Sequence, residues 1–337
     1  MLGFDPDIYQ RVVGGAGALR PQIEQVADAV TARGYDSLYL IGSGGSYAAM
    51  WPYEHLITRE STLRVTSVIA AELVLTGDPR LTERSVAVFS SLSGTTAETI
   101  TALAYCRERG VTTIALTGHP DSPIAHAADH VLVNWADDET AGESIDIQLL
   151  LLATALLNRR GEFDAYERLA DELGDLTAAL TAVQEQADPI AAAFAERHAE
   201  TEYHFLTGAG NLWGFTYNYS MCILEEMQWL HTTRVHGAEF FHGSLELIEK
   251  DTSVIVFVGE DETRPLMERV CRFTERYNEN TTVIDTADYP VAGISPEFRG
   301  LVAPIVVDAV TIRFSKHLER ARNHSLTKRR YYRTVEY

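Results

Sequence analysis

Two short stretches concentrate hydroxyl groups between an apolar run and a helix-like one: Gly42-Ser43-Gly44-Gly45-Ser46 and Ser91-Leu92-Ser93-Gly94-Thr95-Thr96. Hydroxyls beside glycines suit an anion. The hydroxyls donate to phosphate oxygens, the glycines let the backbone approach, and a following helix aims its free N–H groups and positive dipole at the same place. Gly44, Gly45, Ser46, Ser91, Ser93 and Thr96 are therefore the expected phosphate ligands. Ordinary helix capping explains one such loop equally well; two on neighbouring strands, both dense in hydroxyls, favour phosphate. Neither loop contains lysine, which excludes a nucleoside-triphosphate P-loop. Gly42-x-Gly44 lacks the third spaced glycine of a dinucleotide site, and no acid stands at the next strand end. The expectation is phosphate binding with no metal and no cofactor.

A second constellation can move protons. From Trp213 to Leu230 the pattern is that of a long helix, with Phe215, Tyr219, Cys222, Glu226, Trp229 and Leu230 on one stripe. Glu226 is the odd member, because an acid on an apolar stripe is desolvated unless paired, and desolvation raises its pKa toward the range useful for proton transfer. Glu225 falls on the polar side and reads as solvated. Downstream, Gly237-Ala238-Glu239-Phe240-Phe241-His242-Gly243-Ser244-Leu245-Glu246 sets His242 among aromatics and glycines, where an imidazole can be held and exposed to a cleft. The alternative for each is structural: a carboxylate accepting buried hydrogen bonds, and an incidental histidine. His231 and His236 have no comparable context and read as supporting or surface groups.

Strand-like runs must position these residues. Ser37 to Ile41, Val65 to Ile69, Ser85 to Ser90, Thr112 to Thr117 and His130 to Asn134 are apolar, and each is separated from the next by a helix-length segment. That alternation predicts an α/β fold with a parallel sheet and helices on both faces. The pattern then recurs. His204 to Thr207 echoes the first run, Ser253 to Val258 the third and Thr281 to Ile284 the fourth, each about 165 residues further on, as an internal duplication requires. The expected organisation is a helical lead-in over 1–34, a first domain over 35–160, a helical linker over 161–200 and a second domain over 201–337. The loop matching the second hydroxyl loop is Gly259-Glu260-Asp261-Glu262-Thr263, which would repel an anion, so phosphate is placed in the first domain.

Composition narrows the setting. A formal charge of −20 opposes a nucleic-acid surface. The longest apolar stretch, Ile147 to Leu157, is too short to cross a bilayer, and no export signal is read at the amino end, which places the chain in the cytoplasm. Cys106, Cys222 and Cys271 have neither metal-ligand nor CxxC spacing.

At these motifs the chain resembles the sugar isomerase (SIS) family over nearly its whole length, which implies two tandem SIS domains. Gly44-Gly45-Ser46-Tyr47 is similar to the family's first phosphate loop, Ser91 to Thr96 to its second, and Glu226 through Glu246 to the active-site segment of the glucosamine-6-phosphate synthase isomerase domain. Within the family the chain looks most like fructoselysine-6-phosphate deglycases. That likeness rests on Glu226-x-x-Trp229, on Glu239-Phe240-x-His242-Gly243-x-Leu245-Glu246 and on the ending Arg329-Arg330-Tyr331-Tyr332-x-x-Val335-Glu336-Tyr337. The resemblance implies that Ser46, Ser91, Ser93 and Thr96 hold a sugar phosphate, that Glu226 moves a proton between C1 and C2, and that His242 opens the ring from the partner subunit of a homodimer. Glu239, Tyr331 and Tyr332 join the expected substrate site, with the tail around Tyr331, Tyr332 and Glu336 folding over it. Two departures stand out: the synthase's ring-opening lysine is replaced by Tyr331-Tyr332-Arg333, with Lys328 out of place, and no room is read for a glutaminase domain. The rivals are an aminosugar-phosphate deaminase or isomerase, separated by which substrate releases amine, and a non-catalytic sugar-phosphate sensor, which would bind without turnover.

Overall fold

The computed structural model describes residues 1–137 and 140–336, and the chain divides into two compact units. The unit Asp5–Thr177 is built on a five-stranded, wholly parallel sheet: β1 (Ser37–Gly42), β2 (Arg64–Ile69), β3 (Ser85–Ser90), β4 (Thr112–Thr117) and β5 (His130–Val133), in the order β2-β1-β3-β4-β5. Every residue of β1, β3 and β4 is buried, which is why these runs read as continuously apolar: helices cover the sheet and leave no wet side to alternate with. Tyr39, Ile41, Ala87, Phe89 and Ala115 pack against Leu73, Leu103, Cys106 and Ile124 from the flanking helices. Burial pushes the Cys106 thiol up to about 12, and none of the three cysteines is in a disulfide.

β1 pairs with β2 on one side and β3 on the other, so the direction of winding reverses between β1 and β3. Crevices for ligands form outside the carboxyl ends of the strands at such a switch point. Ile41 stands opposite Phe89, so the loops following β1 and β3, the two hydroxyl loops, leave the sheet side by side from the same edge.

The unit Ala178–Tyr337, with Met1–Phe4, carries a four-stranded parallel sheet: β6 (Tyr203–Gly208), β7 (His231–His236), β8 (Val254–Val258) and β9 (Thr281–Asp285), in the order β7-β6-β8-β9. This repeats the order β2-β1-β3-β4, as the sequence repeat implies. β7 was not expected, because its sequence HTTRVH is half polar and its residues are half-buried or exposed, the pattern of an edge strand. The units do not follow the boundaries expected from sequence. Most of the lead-in packs within the first unit, where Tyr9 donates to Glu143 and Asn134 donates to the Val12 carbonyl. The helix Thr177–His198 falls almost wholly in the second unit.

The single long helix expected from Trp213 to Leu230 is corrected. An α-helical segment, Trp213–Asn218, runs directly into a π-helical one, Tyr219–Glu225. Glu226 N–H reaches back five residues to the Met221 carbonyl, and Leu230 N–H six to that of Leu224. The widened turns move every later side chain off the 3.6-residue stripe, and such bulges recur where a helix must place a functional group. Trp229 then adopts φ 57°, a left-handed conformation that is unusual for a bulky residue.

Candidate active site

Loop geometry in the first unit follows from close packing around glycine. A Cβ on Gly42 would lie 2.8 Å from the Tyr47 amide, so the chain can turn here only because that atom is missing. Gly44 follows at φ 57°, and Gly45 opens the short helix Gly45–Ala48 with Ser46, half-buried, in its first turn. In the second loop the Ser91 amide donates to the Leu116 carbonyl, and Gly94, at φ 64°, donates back to Ser91. Ser93 Oγ accepts from the Thr95 amide and hydroxyl at 3.3 and 3.0 Å, while the hydroxyls of Ser91 and Thr96 stand 3.4 Å apart. Neither helix that follows is capped by a side chain: Gly44 has none to offer, and Thr96, the residue preceding Ala97–Glu108, makes no capping bond to it. Ser90 Oγ, buried at the end of β3, has no hydrogen-bond partner. The helices that follow both loops thus begin without a side-chain cap, and the hydroxyls of the second loop bond to one another at the carboxyl end of the sheet.

The second unit treats the matching positions differently. Asp261 Oδ2 accepts from the amide of Asn211, in the loop after β6, at 2.8 Å, and its Oδ1 accepts from the Thr263 amide at 2.9 Å. Glu260 is paired with Arg299 at 2.6 Å, and Arg264 holds Asp285. The chain's own carboxylate fills the place that an anion would take.

Glu226 ends the π-helical segment, half-buried, but it is not an isolated acid on an apolar stripe: Arg329 Nε donates to Glu226 Oε1 at 2.8 Å. Desolvation alone does not set its surroundings. Glu225 is not simply solvated either. It accepts from Arg234 Nη1 at 2.9 Å and from the Thr232 hydroxyl, and Ser220 joins the same cluster. His242 closes a 3₁₀ turn, Phe240–His242, anchored by fully buried Phe240 against Phe205 and Phe273. The imidazole is presented outward, exposed, ahead of Gly243 at φ 146°. Glu239, which begins this turn, is also exposed, as is His231, whereas His236 packs edge-on to Trp213 and accepts from the Ala238 amide.

Tyr331 and Tyr332 are 68% and 43% exposed, Arg333 lies over the Tyr332 ring at 5.1 Å, and Glu336 is exposed. Contact with the Glu226 segment comes from His324, Lys328, Arg329 and Arg330; Lys328 lies over the Trp229 ring at 4.8 Å. Tyr337 lies outside the described residues. Arg329 was legible only as part of the terminal motif, since nothing in local sequence links position 329 to position 226.

No helix among the described residues is long and apolar enough to cross a membrane. Residues 33–158 match the SIS domain family. The chain is 34% identical to Fructosamine deglycase FrlB of Bacillus subtilis, across 90% of this chain and 93% of that protein. It is 27% identical to Fructoselysine 6-phosphate deglycase of Escherichia coli, across 93% and 90% respectively. A Bacillus subtilis crystal structure described as a phosphosugar isomerase superposes with a TM-score of 0.89 at 32% identity, covering 96% of this chain and 99% of that one. The C-terminal domain of a glucosamine-fructose-6-phosphate aminotransferase from Francisella tularensis shares the fold alone, with a TM-score of 0.80 at 17% identity over 95% of this chain and 96% of that one. The loops, the parallel sheets and these likenesses converge: the chain belongs to the SIS family and is an enzyme of its fructosamine deglycase group.

Proposed function

We propose that the enzyme cleaves a 6-phosphorylated Amadori compound, such as fructoselysine 6-phosphate, to hexose 6-phosphate and free amine. Ser46, Ser91, Ser93 and Thr96, with the backbone at Gly44 and Gly45, hold the phosphate. Glu226 takes the proton from C1 of the open-chain ketosamine and returns it to C2, which converts the C1–N bond to an imine. Water adds to that imine and the C–N bond breaks, so atoms balance without an oxidant or a metal. One carboxylate suffices because it is a base in the first step and an acid in the second. His242 opens the ring and is supplied to the partner subunit of a homodimer; its exposure on a rigid turn fits that role. Glu239, Tyr331 and Tyr332 complete the substrate site in this assembly, the second unit is a diverged SIS domain, and the enzyme is cytoplasmic.

The observation that carries the reading is the pair of hydroxyl loops, which leave one edge of the sheet without being consumed as helix caps. An aminosugar-6-phosphate deaminase or isomerase would use the same acid and histidine, but likeness favours the deglycase: 34% identity against 25% for Glutamine--fructose-6-phosphate aminotransferase of Clostridium acetobutylicum. The test is amine release from fructoselysine 6-phosphate beside glucosamine 6-phosphate. Turnover of the first and not the second is expected; the reverse, or binding without turnover of either, contradicts the proposal.

A further inference from the structure

We infer that Arg329 is a positioning residue for Glu226, and that the segment His324 to Arg330 is the clamp that delivers it. The inference rests on the base role proposed for Glu226. Arg329 is 13% exposed and Glu226 27%, so their 2.8 Å contact is partly withdrawn from water, where a charge-assisted hydrogen bond orients a carboxylate strongly. Most exposed ion pairs contribute little, because two long side chains must be ordered to make them. Here the guanidinium is held in advance: its Nη1 donates to the carbonyls of Leu326 and Lys328 at 2.6 and 3.1 Å.

The clamp itself is built on the residues that follow Glu226. Gln228 donates to the His324 carbonyl at 2.8 Å, and buried Leu326 donates its amide to Glu319. Trp229, in its left-handed conformation, meets the edge of His324 at 4.4 Å and carries Arg330 at 4.0 Å and Lys328 at 4.8 Å over its ring. Lys328 and Arg330 lie over Trp229, and Arg234 pairs with Glu225. The contacts that fasten the tail to Trp229 bring Arg329, between Lys328 and Arg330, to the acid. A tail docked only for stability needs no cation there.

A carboxylate serving two adjacent carbons must be held in register with both, and a displacement near 1 Å costs about 100-fold in rate. Arg329→Ala is therefore expected to lower kcat on fructoselysine 6-phosphate by about 10- to 100-fold with KM changed less than about threefold. Added methylguanidinium should restore part of kcat to this variant, and Arg329→Lys should lose less than Arg329→Ala. Thermal unfolding of each variant is followed alongside. A kcat within about twofold of the parent enzyme, or a loss that methylguanidinium and lysine both fail to relieve, overturns the positioning role. Absence of turnover by the unsubstituted enzyme would instead overturn the reading on which the role rests, so the two failures are distinguishable.

Discussion

His198 and His204 are 1% and 0% exposed, their rings 5.4 Å apart, and Nε2 of each has no hydrogen-bond partner. Burial pushes them down to about 4 and about 3, with Arg197 adding to the first, and His198 and Arg322 to the second. Both stay neutral in the folded chain while the unfolded chain takes up protons below its ordinary value near 6.5, so stability is lost as pH falls from about 6.5 toward 4. Glu143 works in the opposite sense. Burial first, then Asp146 and Asp137, raise it to about 7, so its contribution is present below about 4.5 and is lost as pH rises to 7. His204→Phe keeps a ring against Phe194 and should flatten the pH dependence of the unfolding free energy between 6 and 4.5 by about 1.4 kcal/mol per pH unit, one proton's worth. Denaturant titrations across that range give the slope; an unchanged slope would exonerate this histidine. None of this was legible in sequence, because burial of a single histidine depends on what folds over it. Glu226, by contrast, stood out on its stripe, but its pairing with Arg329 did not, since the two are far apart in the chain.

At the scale of elements, strands were easier to read than helices. β1, β3, β4 and β8 are fully buried runs, while the half-polar edge strand β7 carries no apolar run to mark it. The π-helical segment escaped for a different reason: periodicity reports which residues are apolar, not which carbonyl each amide selects. Glycine spacing was more informative. Gly94 combines φ 64° with a Cβ position only 2.2 Å from Ser122 Oγ and 2.9 Å from Thr117 Oγ1. Gly94→Ala should therefore cost about 1–3 kcal/mol and raise KM for the phosphorylated substrate as the Ser91–Thr96 loop shifts. Gly34→Ala, at φ 79° with nothing within 4 Å, should show backbone strain without the KM effect. Equal KM values for Gly94→Ala and the parent enzyme would show that the loop does not hold the phosphate.

For the whole molecule, one order of four strands recurs in two units whose strand-end loops differ in charge. In one, the loops at the switch point carry hydroxyls and the helices after them lack side-chain caps; in the other, Asp261 supplies a negative charge from within the chain. That difference in loop chemistry was legible in the sequence repeat and in the acidic loop of the second unit. In the tail, the tyrosines carry the family likeness, while the cations preceding them make the contacts to Glu226 and Trp229. The proposed chemistry requires that the hydrogen lost from C1 travel on one carboxylate to C2. The most direct measurement is turnover of fructoselysine 6-phosphate deuterated at C1, with the released hexose phosphate read by NMR. The account predicts slower turnover than the protiated compound and deuterium appearing at C2, both abolished with activity in Glu226→Gln. Equal rates with no label at C2, or undiminished turnover by Glu226→Gln, would contradict it.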